Sequence, residues 1–598
     1  MRPAVLATAD NGQVTAAGVT EQLRRAGAGR GDLVGLAVAP DAGLGLATAA
    51  GGWPVPSGAG DLAAAVRHAD RALRPRWVLW SGETAAALTA SGVRLATCWD
   101  IAAVHRLLFG GWRADPGWVW AHLRELVPET IPAAGPPDLF QQAEPDGGGD
   151  PVGPDGHLRP EWVNGAWSGR AERAARWAEL AVTVAGLQQA ALDRLTGVTG
   201  LTSRPMVAAT VRSESAAELL CAELSADGLP MDRAAAEQIL AGFIGPRPRG
   251  EAQAAELRAA RDAAVLRHVP PGLTVDLRSP AQVRSLLSRV GVDLPDTRAW
   301  RLRLFRDAHP VVGALLDWRK AERIATTYGY AWLDEHLGPD GRLRGAWTGS
   351  DGAAGRMTAS GGLHNMPAAM RPAVTAEAGH VFVRADLGQI EPRVLAAVAG
   401  DPALAAATRA DDLYAPVAGQ LGVDRPTAKV AVLGAMYGQT TGHGAQALRR
   451  LKAAYPVAMA YLEEGDRAGR AGRELRTYGG RRILMAPPPA GEAIARAAAR
   501  GRYGRNALIQ GAAAELFKMW AVTVRARCQQ LDAHIVLCLH DELLVHAPAR
   551  HAQAVAGLVD DCLAETARRW APGGLVRFIA DTSIVRRWSD AKAPAPAP

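Results

Sequence analysis

Apolar and polar positions change their period several times along this chain, and each change marks a different kind of element. Near the start, short apolar runs such as "DLVGLAVA" and "RWVLW" predict strands between apolar helices, and "RAERAARWAELAVTVAGLQQAALDRL" repeats its apolar positions at helical spacing. Between them, residues 129 to 160 lose all periodicity to Pro, Gly and Asp, which predicts a linker or long loop. Helical patterns dominate from about 206 to 345, with turn signals at "GLPMD", "VPPG" and "GPDGR". "HVFVRADL" (380–387) then reads as a strand running into a Gly-Gln turn. Pro392 starts a helix there, because proline's missing N–H is not needed in a first turn. Residues 425 to 470 are again helical. In "HIVLCLHDELLVHAP" (534–548) two alternating runs flank His540, Asp541 and Glu542, predicting a β-hairpin with an acidic turn. No internal repeat is visible, and the class is α+β with more than one domain.

Composition narrows the picture only in places. A chain of 598 residues, 48% hydrophobic, can build several cores. Its net charge of +7 suits a polyanionic partner, although heavy Ala, Arg and Gly use also suggests a high-GC bacterial genome. The five cysteines have no CxxC or Cys/His spacing, which argues against a zinc site or disulfide framework and for a reducing compartment. No run approaches a membrane span, and the first residues lack a signal-peptide profile. A cytoplasmic protein is expected.

Candidate chemistry starts from Asp386, which the strand drives to the edge of a sheet. Alone it would be an ordinary solvated acid; its company is the acidic turn at Asp541. Charges at the tips of buried strands cost desolvation unless something compensates, and a divalent cation would. Two such strands can hold a pair of Mg²⁺ ions roughly 3.5–4 Å apart for phosphoryl transfer. Between them, Arg425, Lys429, Leu433 and Tyr437 recur at i+4 and share one helix face. Two cations a turn apart with no interleaved acid call for a bridging anion, such as a triphosphate. Gly434 and Gly438 cost about 1 kcal/mol each in a helix and suggest the close approach of something bulky.

Taken in order, "GRMTASGGLHNMP", "DLGQIEPR", the Arg425–Tyr437 helix, "RYGRNALIQGAAAE" and "LHDE" resemble the motif series of family A DNA polymerases. The resemblance covers about 206 to 598 and implies a right-hand polymerase. The thumb would span about 206–345, the palm about 346–412 and 505–598, and the fingers about 413–504. It implies a DNA-templated DNA polymerase, a nucleotidyltransferase of replication or repair, working on primer-template DNA and dNTPs as a nucleoid-associated monomer. By the same resemblance Asp386 and Asp541, with the Leu387 carbonyl, bind two Mg²⁺, for which Mn²⁺ can substitute. Arg425 and Lys429 grip the triphosphate, Lys429 protonates the leaving pyrophosphate, and Tyr437 packs near the templating base beside Leu433. Glu391, with Gln389 beside it, is the steric gate against a ribose 2′-hydroxyl. Arg356, Asn365, Arg502, Asn506, Gln510 and His540 match positions that read the minor groove without sequence preference. For Arg502, Asn506 and Gln510 the i, i+4, i+8 spacing independently predicts one row on a helix. Residues 449 to 482 hold nine Lys/Arg against four Asp/Glu, which suits phosphate contact.

Departures from the family pattern are Leu433 for an aromatic ring, Tyr414 for a histidine, Pro392 for a leucine, and a shortened "GGLHN". Residues 1–205 resemble the family's 3′–5′ exonuclease domain, a ribonuclease-H-like α/β sheet. An active version needs four carboxylates. "PAVLATADNG" as first strand lacks Asp-x-Glu, "SGETAAAL" and "RWAEL" before Ala181 lack the expected acids, and only Asp100 has a counterpart. The domain is therefore expected to be degenerate, with proofreading absent. The alternative is a catalytically silent DNA-binding scaffold, disfavoured because the metal ligands and the Arg425/Lys429 pair are present. An RNA-polymerising enzyme is disfavoured by Glu391.

Overall fold

The structure is a computed structural model, and it describes residues 15–132, 150–195, 204–270, 273–438, 444–489 and 491–592. The chain divides into two compact units. One comprises Met1–Asp227, Ala346–Thr358 and Val383–Ile584, the other Gly228–Gly345, Ala359–Phe382 and Val585–Pro598.

Among the described residues, the first unit holds two larger sheets and a two-stranded one, Leu475–Arg476 with Arg482–Ile483. The N-terminal sheet has strands β1 (Leu33–Ala39), β2 (Gly43–Thr48), β3 (Gly51–Pro56), β4 (Arg76–Leu79) and β5 (Cys98–Asp100) in the order β3-β2-β1-β4-β5. β1 and β2 form an antiparallel hairpin, whereas β1, β4 and β5 run parallel. Helix α1 (Ala171–Leu195) lies on this sheet. It can approach because a Cβ at Gly45 would fall 2.0 Å from the Ala174 backbone, and one at Gly35 2.3 Å from the Ala178 carbonyl. Buried Ala174, Ala178, Ala181 and Ala185 keep the facing side of α1 equally small. The expected strand in "PAVLATADNG" lies in residues 1–14, outside the described residues. The central strand is β1, "LVGLAVA", which carries no acid. Of the expected linker, 133–149 also lie outside the described residues; its ends hold a 3₁₀ turn, Pro128–Thr130, and a short helix, Pro160–Val163.

Helix α2 (Arg204–Asp227) packs between this sheet and the rest of the first unit. The second sheet has the order β7-β8-β6-β9, from β6 (His380–Leu387), β7 (His534–Cys538), β8 (Glu542–Pro548) and β9 (Ala580–Val585). β7 and β8 form the predicted hairpin, with a bulge between Ile535 and Leu537. Helix α3 (Ile390–Ala399) starts two residues before Pro392, because Gln389 takes a left-handed conformation (φ 53°) as its N-cap. α4 (Arg425–Tyr437) is capped by Asp424, and the 35-residue α5 (Ile494–Cys528) runs unbroken through the 502–510 row.

Buried charges fasten α2 to α5. Glu214 on α2 pairs with both Lys518 of α5 and Arg481, all three nearly inaccessible. Burial pushes the Glu214 pKa up, but Arg481 and Lys518 outweigh it and hold it below the usual carboxylate value. Arg525 grips Glu223 through two hydrogen bonds of 2.9 and 2.6 Å. Glu515, which accepts from Thr477 and from Gly479 N, has its pKa pushed up to about 7, chiefly by burial.

The second unit is helical around a core that includes Val283, Leu286, Leu302, Val311, Leu315 and Trp318. Trp318 Nε1 donates to Asp262 at 2.8 Å, and Arg278 joins Asp262 to Glu322.

Two outcomes are expected. Glu214→Ala strands two buried cations and should cost about 3–5 kcal/mol of stability, read as a lowered urea midpoint. Glu515 has a folded pKa of about 7 against a model-compound value of 4.5, so its contribution is complete below about pH 4.5 and is lost as pH rises through 7. Glu515→Gln should therefore flatten the fall in stability over that interval, measured by denaturation at stepped pH.

Candidate active site

Strand pairing brings the two acidic turns together. β6 and β8 are neighbours in the sheet, and Leu387 N donates to the Asp541 carbonyl at 2.7 Å, so the end of β6 abuts the β7–β8 turn. A cavity of about 450 Å³ opens there. Asp386, Leu387 and Asp541 line it together with Gln389, Glu391 and His540. Lys429, Leu433 and Tyr437 of α4, Gln510 of α5, Arg356 and Tyr414 line it as well. Two carboxylates and a main-chain carbonyl are hard oxygen donors, a set that suits Mg²⁺ or Mn²⁺.

Several of these side chains are held by neighbours. The Tyr437 hydroxyl donates to Glu391 Oε2 at 2.5 Å, and Arg356 Nη2 lies 3.6 Å from Glu391 Oε1. Burial and this hydrogen bond raise the Tyr437 pKa. Tyr414 is buried, and its pKa is pushed up to about 12 by burial and by the nearby Glu391 and Asp412. Asp386 accepts from Arg384, whose guanidinium is buried.

Arg425 corrects the expectation that the two cations of α4 need an external anion. Its guanidinium pairs with Asp412, which holds the Asp412 pKa below its usual value. Asp412 also accepts from Gln389 Nε2 at 2.9 Å, and Gln389 Oε1 accepts from Leu413 N at 2.8 Å. Arg425 does not line the cavity. Lys429 does, exposed and without an ion pair among the described residues. Gly438 has an internal explanation too: it is the left-handed C-cap of α4 (φ 69°), and a Cβ there would come 2.7 Å from Arg502 Cγ.

Arg502 and Asn506 share the α5 row with Gln510 but lie outside the cavity lining, and Asn365 belongs to the second unit. In 449–482, Lys452, Arg467, Arg470, Arg473, Arg476, Arg481 and Arg482 sit in ion pairs but share five acids, so the segment keeps a positive excess. Asp100 is fully buried as the cap of the helix after β5, with Ala103 N donating to it at 2.8 Å. Its pKa is pushed up to about 8 by burial and by Glu218.

Sequence reasoning missed Arg384, Asp412 and Arg393. Arg384 carries a readable signal, two residues before Asp386 on the same strand face. Asp412 and Arg393 carry none. The buried Arg393 guanidinium donates to five backbone carbonyls, those of Gly388, Thr408, Ala410, Asp411 and Arg577, so it ties the β6–α3 turn to the loop that presents Asp412. Burial and Arg577 lower its pKa to about 10.

Comparison with known proteins bears on the whole arrangement. The DNA polymerase I of Chloroflexus aurantiacus is 33% identical over 290 residues, 44% of this chain and 31% of that protein. The thermostable DNA polymerase I of Thermus aquaticus is 30% identical over 295 residues, 45% and 35% of the two. The chain spans about a third of the length of these curated relatives. The POL domain of Pol1 from M. smegmatis, solved in complex with DNA primer-template and dNTP, matches 96% of this chain and 99% of its own with a TM-score of 0.66. At 21% identity that likeness is one of fold. The model for DNA polymerase family A matches residues 267–590, more than half of the sequence. On that match, the chain belongs to DNA polymerase family A.

Proposed function

We propose that the chain is a DNA-directed DNA polymerase that extends a primer 3′ end on a DNA template with dNTPs. The observation that carries this is the convergence of Asp386, Asp541, Lys429, Glu391 and Tyr437, drawn from four separate segments, on one cavity. Asp386, Asp541 and the Leu387 carbonyl would hold Mg²⁺. Bound there, the cations lower the pKa of the attacking hydroxyl and neutralise charge on the phosphates. Lys429 supplies a further positive charge and a proton for the leaving pyrophosphate. Arg425, released from Asp412, reaches the outer phosphates. Glu391, fixed by Tyr437 and Arg356, occupies the space beside the sugar where a 2′-hydroxyl would sit. Leu433 leaves that side of the pocket without a ring to stack on.

The α5 row of Arg502, Asn506 and Gln510, together with Arg356 and His540, would meet the minor groove, whose acceptors are shared by all base pairs. The N-terminal sheet acts as support. Among the described residues its central strand carries no acid, and Asp100, with Glu218 nearby, is held as a buried helix cap, which favours support over hydrolysis.

Three experiments test this. In primer extension, Asp386→Ala and Asp541→Ala should each abolish incorporation while primer-template binding persists; near wild-type extension by both would leave a DNA-binding scaffold as the better account. Lys429→Ala should slow single-turnover incorporation by roughly 10²–10³-fold, and an unchanged rate would show that α4 does not serve the nucleotide. An end-labelled mismatched primer should stay full length without dNTPs, even with Mn²⁺. Shortening that survives Asp386→Ala but is lost in Asp100→Ala would reveal a working nuclease.

A further inference from the structure

Arg384 and Asp386 lie two residues apart on β6, so strand alternation turns both side chains to one face. The Arg384 side chain is 1% exposed and divided among three acids. Nη2 donates to Asp386 Oδ2, Nε to Glu542 Oε1 at 3.1 Å, and Nη1 to Asp581 Oδ2 at 3.0 Å. Asp386 is a proposed cation ligand, and Glu542 follows the other one, Asp541, directly. A guanidinium cannot give up its proton in a protein, so this positive charge is permanent, whereas a divalent cation comes and goes.

We propose that Arg384 is a resident cation of the site. It aligns Asp386 and Glu542 before any divalent ion arrives. It engages Asp386 Oδ2, and Asp386, Asp541 and the Leu387 carbonyl would hold the ion. The consequence is electrostatic: a fixed charge beside the ligands repels the incoming ion and weakens its binding, in exchange for a site that does not fly apart when empty. The charge of Arg384 offsets repulsion among the three carboxylates that it touches, those of Asp386, Glu542 and Asp581. This inference rests on Asp386 and Asp541 being cation ligands, as proposed above.

The test is Mn²⁺ binding followed by electron paramagnetic resonance, without DNA or nucleotide, on the full chain. Arg384→Gln removes the charge but keeps hydrogen-bonding capacity, and should bind Mn²⁺ roughly tenfold more tightly than wild type. Arg384→Lys, which keeps the charge, should stay within about threefold of wild type. Equal or weaker binding by a folded Arg384→Gln variant overturns the proposal. If that variant is unfolded without metal, Mn²⁺ should restore its circular dichroism spectrum, because the ion replaces the missing cation; failure to refold at saturating Mn²⁺ also overturns it. Asp386→Ala and Asp541→Ala separate the two levels of inference. If neither reduces wild-type Mn²⁺ binding, the ligand assignment itself falls; if both do and Arg384→Gln is no tighter, only the role of Arg384 falls.

Discussion

The geometry of the candidate site depends on one buried guanidinium. Arg393 gives its donors to backbone carbonyls from three separate segments, and its own guanidinium is buried, so these bonds supply its partners. That arrangement sets where the 408–411 loop runs. It therefore sets where Asp412 stands, which in turn decides how Gln389 and Arg425 are held. The strained backbone of Gln389 makes sense in this setting, since a left-handed residue with a side chain persists only where its surroundings over-determine it.

A second layer of constraint lies behind the first. The pairing of Glu214 with Lys518 and Arg481 would be a poor source of stability by itself, since burying three charges costs about as much as their attraction returns. Its value is positional. Only one registration of α2 against α5 satisfies all three groups, and the same helix α5 carries Gln510 to the cavity wall. The N-terminal sheet, through α2, is thus tied into the frame that aims the site, whatever else it does.

What could be read from the sequence, and what could not, follows from distance along the chain. The acidic turns, the face of α4 and the row on α5 are visible because each is a local pattern whose spacing maps directly onto one element. Pro392 implies a start for α3 two residues later than the observed one, because proline marks a first turn without saying which position of that turn it fills. Asp412 and Arg393 were invisible for another reason. Asp412 meets a partner 13 residues away, beyond the helix Tyr414–Leu421, and Arg393 reaches a carbonyl 184 residues away. Local composition carries no trace of such pairings. The basic segment 449–482 is legible as an excess of charge, but not the sharing of its acids, since Glu464 and Glu474 each serve two arginines.

Helix α5 has a mechanical consequence. At about 1.5 Å per residue its 35 residues form an uninterrupted rod roughly 50 Å long. One end is clamped by Lys518 and Arg525, and the other carries Arg502 and Asn506 toward solvent. Arg500 and Arg505 donate to the Gly469 and Ala435 carbonyls, so the helix is held along its length and each residue has a fixed angular position. Because successive residues are about 100° apart around the axis, one residue gained or lost between Gln510 and Lys518 would swing the entire polar row through more than a quarter revolution while leaving every side chain intact. In that seven-residue stretch, length constrains the chain as strictly as residue identity does at Asp386.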